Sequence, residues 1–389
     1  MVPPVSLPLG VSEGYVLDAP GGSRPFDAAT LEGELRSMWK RARVAGSSKA
    51  AKAARDPAES GAIYRAALSN LVVPLDPALS SKLSPVLMDV TRMHPSRLFS
   101  IEAGAAPKGA GLRARIGALC HRRESGGGLV CSEQVVVESD KGSAALIPSA
   151  IRSLLIGELP VVLLDFQPGL GVPWVEELWP MADMILLDSC IKESGKEPEV
   201  WRAIHREGSR KVHDIAWARL NPWRMILAEL FDDKEHLEAL GTIRHVEMGF
   251  TGQGDPPPPV WLLAGWLASR LGWKPQGKEA EGITLRSHSG PVTLSLQSGR
   301  PGEGRVLERI RIRSEAPHPL DVEILHQGRE ETARIAARKP RASSMEVAFP
   351  YRGFAACIVG EIHRHAPNRP LEEAARAAES LIQLWGRRS

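Results

Sequence analysis

The chain has 389 residues, 43% of them hydrophobic, enough to fill the cores of two domains. Its 49 basic and 46 acidic side chains leave a net charge of only +3, so no global field argues for nucleic acid or a charged membrane surface as partner. Four cysteines, at 120, 131, 190 and 357, are too few and too scattered for a disulfide framework or a paired-cysteine zinc site.

The opening segment, MVPPVSLPLGVSEGYVLDAP, lacks a basic start followed by a long apolar core, which argues against a secretory signal. No apolar run approaches the ~20 residues of a membrane span, so the expected compartment is the cytoplasm. Residues 27–55 make a basic, alanine-rich helical candidate with Leu31, Leu35, Met38, Trp39 and Ala42 on one side, running out through GSSKAAKAARDPAESG. Residues 1–62 are therefore read as an N-terminal helix and flexible linker.

Residues 63–275 alternate short apolar runs (LSNLVVPL, SRLFSIE, SEQVVVES, LPVVLLD, MILLDS, RHVEMGF) with helical stretches such as IPSAIRSLLIG and PWVEELWPMA. That alternation predicts an α/β domain, a mixed central sheet with flanking helices. Residues 113–122 and 129–139 read as a hairpin about Glu124-Ser125-Gly126-Gly127-Gly128. If the turn is centred between Ser125 and Gly126, Cys120 faces Cys131 across the ladder. The two are either a redox pair or buried free thiols of a reducing compartment.

The turn at 168–174 follows a strand and precedes a helix, as phosphate loops do, but it lacks a third glycine and a Walker lysine, and its proline removes an amide donor. No GxSxG elbow or HExxH spacing occurs, so no catalytic residue, cofactor site or metal site is assigned. Asp165, Asp183 and Asp188 fall at strand ends and read as helix caps.

Residues 213–273 are the most informative stretch: HDIAWARLNPWRMILAELFDD and VWLLAGWLASRLGW hold five of the ten tryptophans. The first string reads as a strand entering a helix, with Asn221 as N-cap and Pro222 at the first helical position. Trp223, Ile226, Leu227, Leu230 and Phe231 then share one face. The second reads as a helix over 259–273, ending at Gly272, with Gly265, Ala268 and Gly272 forming a strip that lets another backbone approach.

After Trp273 the pattern changes to period two in EGITLRSHSGPVTLSLQS, RVLERIRIRSEA, LDVEILHQG and SSMEVAFP, so residues 276–389 are read as a smaller C-terminal α+β domain with antiparallel strands. Arg309, Arg311 and Arg313 share one strand face, either solvated or docked on an acidic partner. His363 and His365 are placed on one strand face with no acidic ligand in register, and a helix over 371–385 turns Ala374, Ala378, Leu381, Ile382 and Trp385 inward.

The strings LVCSEQVVVES, LLIGELPVVLL, ADMILLDS, DIAWARLNPWR and LLAGWLASRLGW, in this order along the chain, resemble the glucose-6-phosphate dehydrogenase assembly protein family, OpcA. Leu164-Asp165 stands where that family usually has paired tryptophans. The resemblance implies a non-catalytic factor that binds glucose-6-phosphate dehydrogenase and promotes its active oligomer. Trp217, Arg219, Pro222, Trp223 and Arg224 are the expected contact residues, because Trp and Arg are common hot-spot types; the alternative is interior packing for the tryptophans and a solvated helix cap for the arginines. The alternative is an α/β enzyme or sensor of sugar phosphates or nucleotides, using the 168–174 turn.

Overall fold

The computed structural model describes residues 14–18, 22–46, 63–122, 128–166, 172–190, 197–208, 211–252, 254–280, 282–299, 307–326, 332–339, 341–350, 352–364 and 366–386. The linker at 47–62, the tip of the hairpin turn, the glycines of the 168–174 turn and His365 lie outside them. The fold is α/β, with two mixed sheets and flanking helices, and divides into two compact units. One unit comprises Pro8–Asp188 and Phe354–His365; the other comprises Met1–Leu7, Ser189–Gly353 and Ala366–Ser389.

In the first unit the strands are β1 (Gly14–Asp18), β2 (Arg24–Pro25), β3 (Ile63–Arg65), β4 (Asn70–Leu75), β5 (Arg97–Ala103), β6 (Leu112–Arg122), β7 (Leu129–Ser139), β8 (Val161–Asp165) and β9 (Met184–Leu187). β1 and β2 pair with β6, two strands that the sequence reading did not anticipate. Every residue of β4 is buried, as a parallel strand covered on both faces requires. Its one polar residue, Asn70, is satisfied by the backbone of Ile156 and Leu159, which pins the loop before β8.

The parallel strands run in the order β7-β5-β4-β8-β9. After β3, which adds a short parallel pairing to β7, the chain runs from β4 outward through β5 to β7, then returns to lay β8 and β9 on the other side, which is the doubly wound arrangement with its switch point between β4 and β8. The hairpin partner β6 pairs antiparallel with β7, with Cys120 opposite Cys131 as the turn predicts.

The helix Ala28–Gly46 buries Leu31, Leu35, Met38 and Trp39. It is anchored through Glu133 on β7, which is fully buried: Trp39 Nε1 donates to its Oε1 at 2.6 Å, Arg65 Nε reaches the same oxygen at 2.8 Å, and Arg97 Nε donates to Oε2 at 2.7 Å.

The second unit holds β10 (Val212–Asp214) and an eight-stranded sheet of β11 (Ile243–Phe250), β12 (Lys274–Glu279), β13 (Gly282–Ser287), β14 (Gly290–Ser298), β15 (Leu307–Ser314), β16 (Asp321–Leu325), β17 (Thr332–Lys339) and β18 (Ser343–Ala348). The order is β12-β13-β14-β11-β15-β16-β17-β18, with β11 and β14 parallel and the other neighbours antiparallel. The boundary read at 275/276 falls inside this unit, because β11 and the helix Pro258–Leu271 belong with the later strands.

Gly272 ends that helix at φ 67°. A Cβ on Gly265 would stand 2.2 Å from the Ala374 carbonyl oxygen, so the small-residue strip admits the helix Arg369–Trp385 as expected. His363, by contrast, follows a helix, Phe354–Ile362, and lies on no strand; the apolar run FAACIVGEI is helical.

Candidate functional site

Ligands of doubly wound sheets bind outside the carboxyl ends of the strands at the switch point, with phosphate on the free amides of the first helix. Here β4 ends at Leu75 and the helix Pro77–Met93 begins, but Asp76 caps it, its carboxylate accepting from Ala78 N at 2.9 Å. Pro77 removes a further donor. A phosphate would meet a carboxylate where it needs free N–H groups. Beyond β8, Phe166 is fully buried and packs its ring against Phe354, 5.6 Å between centroids. The helix that carries Phe354 lies against the helix Pro77–Met93.

Among the strand-end aspartates, Asp183 closes a strand instead of capping a helix, its Oδ2 accepting from Val161 N at 2.8 Å. Asp165 and Asp188 are each 1% exposed.

The proposed contact residues form an elbow in the second unit. Asp214 ends β10 and caps the helix Ile215–Arg219, accepting from Ala216 N at 2.9 Å, Ser189 N at 3.2 Å and Trp201 Nε1 at 3.3 Å. Leu220 then turns the chain into the helix Asn221–Leu230, so Asn221 is the first helical residue and not the N-cap. Trp217 and Trp223 are 2% and 4% exposed and Pro222 is buried, which places all three in the interior. Trp223 sets its edge on Phe349 and His326, themselves stacked at 3.7 Å.

Arg224 lies with its guanidinium 3.6 Å from the Trp217 ring centroid and donates to Trp217 O at 2.8 Å, clamping one arm of the elbow to the other. Arg219 is half-buried. The large hydrophobic side chains this region turns to solvent are Met225, 43% exposed, and Leu237, 54% exposed. Burying Trp and Pro in a two-helix junction is the bland use of such residues, and it wins here because the elbow needs a filled inner angle.

Cys120 and Cys131 are joined by a disulfide, both fully buried. Nearby, a polar cluster that no sequence motif announced runs through the first unit. His94 Nδ1 is 3.1 Å from His363 Nε2, His94 Nε2 is 3.0 Å from Ser69 Oγ, and Ser69 Oγ is 3.1 Å from Ser96 Oγ. Burial, and secondly the charge of His363, push the His94 pKa down to about 4. The Ser69–His94 spacing is that of a nucleophile and its base, but Ser69 is 1% exposed, so no substrate reaches its oxygen. Among the described residues no group of three or more His, Cys, Asp or Glu side chains is placed to hold a metal.

The Arg309, Arg311 and Arg313 face is occupied from within its own sheet. Arg311 makes two bonds to Asp321, at 2.8 and 2.7 Å; Arg309 reaches Glu323 at 3.4 Å; Arg313 pairs with Glu247. The guanidinium of Arg311 holds the Asp321 carboxyl below its ordinary range.

Two family models match in succession: the glucose-6-phosphate dehydrogenase subunit N-terminal domain over residues 88–200, and the C-terminal domain of the same subunit over residues 210–375. The OxPP cycle protein OpcA of a Synechocystis strain is 27% identical over 188 residues, 48% of this chain and 39% of that protein. The protein of the same name from Nostoc punctiforme is 29% identical over 176 residues, 44% of this chain and 37% of that protein. The matched stretch thus spans about two-fifths of the length of these curated relatives. A solved structure, glucose-6-phosphate 1-dehydrogenase from Mycobacterium avium, superposes with a TM-score of 0.48 at 12% identity, covering 81% of this chain and 92% of that one. With both domain models in order along the sequence, the chain belongs to the OpcA family of glucose-6-phosphate dehydrogenase subunits.

Proposed function

We propose that the chain is a non-catalytic assembly factor and allosteric activator of glucose-6-phosphate dehydrogenase, working in the bacterial cytoplasm in the oxidative pentose phosphate pathway. The observation that carries this reading is the succession of the two dehydrogenase-subunit domain models along the chain. A non-catalytic role is supported by Asp76, whose carboxylate occupies the helix start that a doubly wound enzyme leaves open for phosphate. Consistent with that compartment, among the described residues no helix is long and apolar enough to cross a membrane.

An activator binds the active state of its partner more tightly than the inactive one, and a differential of about 1–3 kcal/mol changes activity about 5- to 150-fold. We assign the partner contact to the outer side of the elbow, with Met225 and Arg219 facing the dehydrogenase and Trp217, Pro222, Trp223 and Arg224 holding the two helices at their angle. The test is dehydrogenase activity with and without the purified chain, together with size-exclusion chromatography of the mixture. Co-elution with a raised rate is expected, and the Met225→Glu, Arg219→Ala double variant should lose at least half of the activation while melting as the parent does. Micromolar binding of a nucleotide or sugar phosphate by the isolated chain, with no complex and no change in rate, would overturn the reading.

A further inference from the structure

The eight-stranded sheet treats its two edges differently. β12 carries Lys274, Pro275 and Lys278, and its register with β13 slips between Pro275 and Gly277. Charges, proline and bulges are the devices that keep an edge from recruiting another strand. β18 has almost none of them. It contains no proline and one charge, Glu346, pairs with β17 without a register shift, and is exposed at five of its six residues. Met345, 59% exposed, is the most exposed large hydrophobic side chain among the described residues. In the strand order β18 stands last, so one row of its backbone donors and acceptors meets no strand among the described residues.

We propose that β18 pairs antiparallel with β18 of a second copy of this chain, continuing the sheet across a twofold axis. A twofold axis normal to the sheet requires paired residues to lie on the same face, so the axis must pass through a residue and not between two. Centring on Glu346 would set two carboxylates directly opposite, which is repulsive. Centring on Ser344 would leave Glu346, Val347 and Ala348 without a partner inside the strand. Centring on Met345 pairs Ser343 with Val347 and Ser344 with Glu346, and brings the two Met345 side chains together on the face that Ile335 shares.

The charges suit this register. Arg334, opposite Glu346 on its own β17, donates to Ser344 Oγ at 3.0 Å. Its guanidinium is thus held at the hydroxyl that would face the second copy's Glu346, and no like charges are opposed. One six-residue strand is a small contact compared with the ~1,200 Å² of a typical stable interface, so the dimer is weak, with a dissociation constant on the order of 10–100 μM.

Sedimentation velocity of the full chain from about 1 to 200 μM tests this. A reversible monomer–dimer equilibrium is expected. Ser344→Glu places a carboxylate opposite Glu346 twice per dimer and should weaken association about tenfold, whereas Ser344→Lys should tighten it. Met345→Cys should cross-link copy to copy under mild oxidation, because the axis sets that position against itself. Thermal melts matching the parent establish that each variant folds. A monomer at every concentration, or a dimer indifferent to both Ser344 substitutions, would overturn the proposal; so would capture of a different protein's strand by a chain that does not self-associate.

Discussion

Two sets of ion pairs stitch strands together, one in each unit, and they differ in their surroundings. Glu133 is 0% exposed and its partner Arg97 3%, and Arg97 also donates to the Leu154 carbonyl and to Glu32, both at 2.5 Å. Arg311 and Asp321, in the ladder on the second sheet, are 24% and 14% exposed. The same guanidinium and carboxylate chemistry therefore does two different jobs. In the dry Arg97–Glu133 pair each member is needed to keep the other satisfied, whereas water can stand in for either member of the wetter Arg311–Asp321 pair.

The sharpest way to break that contrast is Glu133→Ala, which takes from Arg97 its buried carboxylate and leaves it only the part-exposed Glu32 and the Leu154 carbonyl. A loss of about 3–5 kcal/mol is expected, read from urea unfolding. A loss under about 1 kcal/mol would mean that water already reaches the cluster. An intermediate effect comes from His94, buried but joined to the exposed His363. Its pKa falls from 6.5 in the unfolded chain to about 4 in the folded one, so above pH 6.5 neither state takes the proton. As the pH drops from 6.5 toward 4, the unfolded chain is protonated and the folded one resists, so stability falls, by about 2 kcal/mol with solvent screening allowed for. The difference between the parent and a His94→Asn variant across that window isolates this contribution; parallel curves would remove it. The smallest effect belongs to Arg311→Ala, about 1 kcal/mol or less and shrinking further with added salt. A salt-insensitive loss several times larger would make the ladder a rigid element.

What could be read from the sequence was what depends on neighbours along the chain. The hairpin turn fixed the Cys120–Cys131 register, because a tight connection leaves few pairings. Gly265 and Ala268 announced a close helix contact, and Gly272 a helix end. β17 went unread because TARIAARK sets small alanines and long arginines against a single strong apolar residue, Ile335. RHVEMGF looked like one more strand of the first sheet; only its pairing with β14 and β15 reveals the second.

The polar interior was hidden more deeply. Glu133 sits in SEQVVVES as an ordinary flanking polar residue, and its three donors come from positions 39, 65 and 97. Trp217 and Trp223, which read equally as interior packing or as partner anchors, are buried; composition could not choose because it reports size and polarity but not which side of a helix the fold covers. Asp76 was overlooked for a related reason: a capping aspartate is commonplace, and becomes telling only when the strand order puts it at the switch point.

The helix Phe354–Ile362 belongs to the first unit although the intervening 165 residues, Ser189–Gly353, belong to the second. During synthesis on the ribosome the first 188 residues therefore emerge without the segment that supplies Phe354 and His363. N-terminal domains usually fold as they appear. Here the first unit lacks its last helix until translation has passed the whole of Ser189–Gly353.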